Sequence, residues 1–339
     1  MGELESVDPI LLSRGSSGDP RLGELVQVGP VRAAETDEER ARATVAIIGI
    51  ADDRGVTNGG GRAGAALGPR ELRRWLYKMT TGGGGEMQRL RLFDLGDVTI
   101  TRSAGEMTQA ASGDGARSIE EVHAIAEEAV RTALGAGARV VLLGGGHDGA
   151  YASHAGLLQS LAPEETLCAI NVDAHCDVRP LRDGSIITSG TPFRRVKERF
   201  AERYSLVEFG IQMQHNARAQ VDWARAQGWP VLELRRLRED GVTVRFARQL
   251  VHATEAASAV AVSLDLDAVE AASAPGVSAP CPDGFSPHEL FSFARAAGSD
   301  RKVRLLDVME CAPPLDEGGR TARLGAAAIW NFLAAACEA

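Results

Sequence analysis

The sequence predicts an α/β fold, a parallel sheet covered by helices on both faces. Three observations carry this expectation. Short apolar runs rich in β-branched residues recur from Thr44 to the C-terminus. Longer segments with apolar spacings of three and four separate them, as amphipathic helices require. The runs are apolar throughout rather than alternating, which marks strands buried on both sides.

The elements follow in order. Residues 1–43 are polar without a long period and read as an extension with one short helix, packed on the main domain. Eight strands are expected: VAIIGI (45–50), LRLFDLG (90–96), RVVLL (139–143), LCAINVD (167–173), SLVEFGI (205–211), PVLELR (230–235), AVAVSLDLD (259–267) and VRLLDVME (303–310). Helices are expected over 118–137, 217–228, 244–257 and 286–298, and after GGGHDG. GGGG (82–85) reads as a loop. No linker divides residues 44–339, so they form one domain. Pattern alone leaves open whether the eight strands form an open sheet or a closed barrel.

Bulk properties exclude several functions. Among 339 residues the formal net charge is -9, which argues against nucleic-acid binding. No apolar run reaches the roughly 18–20 residues that span a bilayer. The first residues lack a basic region and an apolar core for export. Met1-Gly2 with Ser6 fits a myristoylation pattern, but Glu3 and Glu5 argue against it. Five cysteines, without a C-x-x-C pair, fit a reduced cytoplasmic protein.

The segment RVVLLGGGHDG poses the functional question. Gly144, Gly146 and Gly149 have the spacing of a dinucleotide-binding turn, and Asp173 stands where a ribose-binding acid would. A second match, Gly59-Gly61-Gly64, starts too far after its strand. Against a phosphate cradle, Asp148 would repel a pyrophosphate that needs bare backbone N–H groups. Asp173 also has company, because DAHCD brings His175 and Asp177, and SLDLD brings Asp265 and Asp267. Ligands gather outside the carboxyl ends of parallel strands. Three strands therefore deliver His147, Asp173, His175, Asp177, Asp265 and Asp267 to one edge. Alternation places the paired residues of D-A-H and D-L-D on one face of an extended segment. A lone acid or histidine at a strand end is usually a cap or a surface group, but three such motifs together are not. Four carboxylates in one cleft cannot all stay ionised without cations. Two divalent ions would balance them. The mixed oxygen and nitrogen set favours manganese, with iron, cobalt and nickel as alternatives.

VLLGGGHD, NVDAHCD and SLDLD resemble the three metal motifs of the ureohydrolases, the arginase and agmatinase superfamily. LFDLGDV (92–98) and GPRELR (68–73) resemble further segments of it. The resemblance implies a three-layer α/β/α fold with an eight-stranded parallel sheet and two Mn ions at the strand ends. It also implies a homo-oligomer, a trimer or hexamer. Within the superfamily, GVTNGGGRAGAALGP (55–69), SGTPF and ECAPPLDEGGRTARLGA (310–325) resemble the formimidoylglutamase branch. Phe193 stands where arginases and agmatinases usually carry a histidine. Glu270 departs from the proline usual in the branch. The implied reaction is hydrolysis of N-formimino-L-glutamate to glutamate and formamide, a step of histidine degradation. The alternatives are a guanidino-substrate hydrolase and a catalytically silent metal-binding protein.

The resemblance also implies roles. Asp173 and Asp265 would bridge the ions, with His147 and Asp177 on one and His175 and Asp267 on the other. Asp177 would pass a proton to the leaving amine, and Glu310 would hold the amidinium. The small-molecule substrate carries carboxylates, for which Arg179 is the first receptor considered, followed by Arg62 and Arg194. Asn58, Thr191 and Asn216 are expected as neutral contacts. Cys176 and the remaining histidines are read as packing or surface groups. Asp148 would cap the next helix or orient a ligand.

Overall fold

The computed structural model describes residues 4–12, 20–82, 86–101 and 116–339. Gly83–Gly85 of the GGGG loop lie outside the described residues, as does the Met1-Gly2 start. One sheet organises the chain. Its strands are β1 (Val26–Val28), β2 (Ala43–Ala51), β3 (Leu90–Thr99), β4 (Arg139–Leu143), β5 (Leu167–Val172), β6 (Tyr204–Ile211), β7 (Val231–Glu233), β8 (Ala259–Asp265) and β9 (Val303–Met309). Their order is β1-β3-β2-β4-β9-β8-β5-β6-β7. All neighbouring pairs are parallel.

The expected eight strands are present, and a ninth joins them. Val26–Val28 pairs with Leu92–Asp94 at the sheet edge. Its three residues, half-buried to exposed, form no apolar run, so no pattern marks them as a strand. The extension thus contributes a strand as well as the short helix Asp37–Arg40. The sheet ends at β1 and β7, so it is open and not a barrel. Helix Leu234–Asp240 begins directly after Glu233 and shortens the strand expected over 230–235.

Two cores lie on the two faces, as strand alternation dictates. Val141 and Leu143 of β4 face helices Gly68–Leu76, Pro287–Ser299 and Arg320–Glu338. Val140 and Leu142 face helices Ile119–Gly135, Ala150–Ser160 and Pro192–Phe200. Local sequence starts these helices. Ser118 with Glu121, and Ser286 with Glu289, form reciprocal capping boxes that satisfy the first free N–H groups.

GPRELR has a structural use. Arg73 lies on helix Gly68–Leu76 and is 1% exposed. Its guanidinium donates to both carboxylate oxygens of Asp94 on β3, at 2.7 and 2.9 Å, and to Asp97. Tyr77 donates to the same Asp94 carboxylate. This ion pair joins the helix to the sheet.

Candidate metal centre

β4, β9, β8 and β5 are consecutive in the sheet, and their carboxyl ends carry the acidic and histidine motifs. His147 follows β4, Glu310 follows β9, Asp265 ends β8 and Asp173 follows β5. The glycines before His147 allow close approach. A Cβ on Gly145 would stand 2.0 Å from the Asp52 carbonyl oxygen, and Gly146 N–H donates to that carbonyl at 3.0 Å. Glu310 Oε1 accepts from His147 N–H at 2.8 Å, tying β9 to the turn.

Strand alternation does not bring the paired ligands together, contrary to expectation. β5 ends at Val172, and Leu266–Ala268 is a 3₁₀ turn. Each motif instead folds on its own first carboxylate. Asp173 Oδ1 accepts from His175 N–H and Asp265 Oδ1 accepts from Asp267 N–H, both at 2.7 Å. These short side-chain turns point the second residue of each pair back to the first.

The six residues converge in two groups. His147, Asp173, Asp177 and Asp265 each offer an atom within 4.8 Å of the others, and so do Asp173, His175 and Asp267. Asp173 belongs to both. His147 Nδ1 lies 3.2, 3.0 and 2.9 Å from carboxylate oxygens of Asp173, Asp177 and Asp265. One ring nitrogen cannot serve three oxygens, and among the described residues Nδ1 makes no hydrogen bond of acceptable geometry. Nε2 lies 3.0 Å from Ser263 Oγ, an outer contact that holds the ring with Nδ1 toward the acids. Asp267 Oδ1 and Glu310 Oε2 are also buried without a partner among the described residues. Such orphaned atoms, all potential ligands or substrate contacts, fit a cation-binding role.

The electrostatics agree. Burial pushes the carboxyls of Asp177, Asp267 and Glu310 up, and neighbouring aspartates add to the rise. Burial acts on Asp173 in the same sense, but the adjacent His147 and His175 imidazoles outweigh it and hold that carboxyl below the usual range. Burial opposes the charged form of His147, yet the surrounding aspartates raise its pKa. The cluster is short of positive charge, and its histidines are the nearest source.

Two backbone outliers mark the same place. Asp177 and Glu310 have φ of 50° and 65°. Left-handed backbone at such residues costs about 1–3 kcal/mol and persists where the surroundings enforce it.

A cavity of about 600 Å³ opens above the cluster, with His175, Asp177, Asp265, Asp267 and Glu310 in its wall. Arg179 and Asn216 line it too. The Asn216 amide is engaged with backbone. It accepts from Cys176 N–H at 2.8 Å and donates to the carbonyls of Ala174 and Gln212 at 2.8 and 2.9 Å. The other expected contacts are not brought to the cavity. Asn58 donates to Ile187 O at 2.9 Å, and Thr191 to Thr188 O at 2.7 Å. Arg62 donates to the Ser278 and Val277 carbonyls at 3.0 and 2.7 Å. Arg194 pairs with Glu198 at 2.8 Å and covers the Trp223 ring at 5.0 Å. All four hold backbone or surface elements together. Phe193 packs edge-on against His147, with ring centroids 5.3 Å apart. Cys176 is buried in the core and belongs to neither ligand group.

Sequence reasoning missed Gln220, Thr188 and Ser263. With its amide oxygen turned toward Arg179, Gln220 accepts from Nε and Nη1, each at 3.1 Å. Thr188 lines the cavity, and its buried hydroxyl has no partner among the described residues. No motif marks Gln220 or Thr188. Ser263 carried a usable signal, because it lies two residues before Asp265 on the same strand.

Comparison with known proteins places the chain. The model of the arginase family matches residues 43–335. A formimidoylglutamase from Aromatoleum aromaticum is 36% identical over 298 residues, covering 85% of this chain and 82% of its own. One from Enterobacter sp. is 31% identical over 295 residues, covering 86% of each. Among solved structures, Trypanosoma cruzi formiminoglutamase with Mn2+ superposes with a TM-score of 0.78 at 28% identity, covering 94% of this chain and 99% of its own. The Bacillus subtilis formimidoylglutamase, 22% identical, shares the fold with a TM-score of 0.81 over 96% of this chain and 94% of its own. The chain belongs to the arginase family and is a hydrolase acting on C–N bonds of linear amidines.

Proposed function

We propose that the chain hydrolyses N-formimino-L-glutamate to L-glutamate and formamide. The observation that carries this reading is the pairing of a partner-poor acidic cluster with Arg179 in the wall of one cavity. The cluster suits ions and an amidine, and the guanidinium suits a carboxylate. The formimidoylglutamases among the relatives support the same substrate.

His147 and Asp177 would hold one divalent ion, His175 and Asp267 the other, with Asp173 and Asp265 shared. Manganese is proposed first, with iron, cobalt or nickel as substitutes. When bound, the ions supply hydroxide at neutral pH and Lewis-acid stabilisation of the tetrahedral state. Asp177 carries the proton to the leaving amine. Glu310 holds the amidinium through its free Oε2, while Oε1 stays on the His147 N–H. Arg179, steadied by Gln220, receives a substrate carboxylate. We also propose a cytoplasmic homo-oligomer, trimer or hexamer. Residues 44–339 would be its single catalytic domain and residues 1–43 an extension packed on it.

Purified protein supplied with Mn2+ and offered formiminoglutamate, arginine, agmatine and guanidinobutyrate tests the assignment. Formamide release from the first is expected to dominate. Urea release exceeding it would assign a guanidino substrate instead.

A further inference from the structure

The Asp148 carboxylate, directly after His147, is 3% exposed and has no part in the ligand groups. It does not cap the following helix, since among the described residues no side-chain bond to that helix start is present. It turns the other way. Its Oδ2 lies 3.1 Å from Nε2 of His123, a 2%-exposed residue of helix Ile119–Gly135. His123 Nδ1 lies 3.2 Å from Arg195 Nη1 on helix Pro192–Phe200. The Arg195 guanidinium covers the Tyr151 ring at 3.7 Å.

The chemistry gives this chain one direction. A guanidinium only donates, so His123 Nδ1 must accept. The ring proton then sits on Nε2 and donates to Asp148. Asp148 Oδ1 meanwhile occupies a slot between two glycines. A Cβ would stand 2.0 Å from it at Gly55 and 2.6 Å at Gly146. The GGG segment offers no side chains of its own for packing, so the turn depends on such anchors. Glu310 holds it from the cavity side through the His147 N–H. Asp148 holds it from the helix side.

We propose that Asp148, His123 and Arg195 form a positioning chain that sets the His147 turn and thereby raises the affinity of the centre for divalent ions. This rests on the reading of the cluster as a metal centre. None of the three is offered as a catalytic residue, because none reaches the cavity above the cluster. Outer contacts of this kind typically change metal affinity by about 10- to 100-fold.

The test uses the full chain, stripped with a chelator, dialysed and titrated calorimetrically with Mn2+ alone. His123→Leu removes both bonds at similar volume. His123→Gln keeps an amide N–H near the Nε2 position. Arg195→Met removes the outer member and keeps its stem, which guards against a His123→Leu protein that does not fold. Thermal midpoints in chelator report the metal-free fold. The expected result is affinity lower by about 10- to 100-fold in His123→Leu and a smaller loss in Arg195→Met. His123→Gln should stand close to wild type. Wild-type affinity in both His123→Leu and Arg195→Met would overturn the proposal. So would equal weakening in His123→Gln and His123→Leu together with lowered metal-free midpoints, which would mean lost packing. A wild-type chain that binds no Mn2+ would overturn the metal centre itself, and this proposal with it.

Discussion

Two buried clusters of charge stand on the same sheet, and they are finished differently. At β3, Asp94 is fully buried, but Arg73 grips both its oxygens and Tyr77 donates to it as well. The chain supplies its own cation, and the result is a joint between a helix and a strand. At the ends of β4, β5 and β8, four aspartates and two histidines meet, and among the described residues these aspartates form ion pairs with histidine alone. Three potential ligand or substrate atoms there, on His147, Asp267 and Glu310, have no partner among the described residues. Burial of charge marks both places. Pairing with histidine rather than arginine sets the candidate cation site apart from the structural bond.

Exchanging the roles of the two clusters tests the distinction. The largest effect is expected from Asp265→Asn. Losing one proposed bridging carboxylate should lower kcat/KM on the order of 10³-fold, several kcal/mol of transition-state stabilisation, in a steady-state formamide assay. The fold should persist, because no interaction of the Arg73 type is lost. Arg73→Met should do the reverse. It strands a buried carboxylate and should cost about 3–5 kcal/mol in a urea unfolding titration. The folded fraction should retain its metal. Glu310→Gln sharpens the comparison within the site. Metal content should stay while kcat/KM falls about 10²-fold, since a charge-assisted contact to the amidinium becomes neutral. Arg179→Lys should have the smallest effect. It keeps the charge but loses the fork, so KM for formiminoglutamate should rise about tenfold with kcat little changed. A larger fall in kcat would place Arg179 nearer the chemistry than proposed.

The same contrast explains what could be read in advance. The convergence of the three acidic and histidine motifs was legible because each follows an apolar strand, and parallel strands bring their carboxyl ends together. The sheet was legible from its buried runs, apart from Val26–Val28, whose three residues carry no periodic signal. The geometry inside each motif was misread, because the turns made by Asp173 and Asp265 on their own backbone replace strand alternation. The polar contacts fared worst. Arg62, Asn58 and Thr191 lie near the right segments in sequence, yet backbone carbonyls take their donors. Which carbonyl a side chain meets depends on loop packing that no spacing encodes. Gln220 was missed for the same reason, and His123 was read as a packing or surface group without its partner, since Arg179 and Asp148 lie on distant segments.

Counting metal per chain decides whether the cluster holds two ions. Wild type and Asp265→Asn, each loaded with Mn2+ and freed of excess by gel filtration, would be measured by inductively coupled plasma mass spectrometry against protein concentration. Two ions per wild-type chain and a clear loss in the variant are expected. Wild type without bound metal, or a variant with unchanged content, would contradict a two-ion centre.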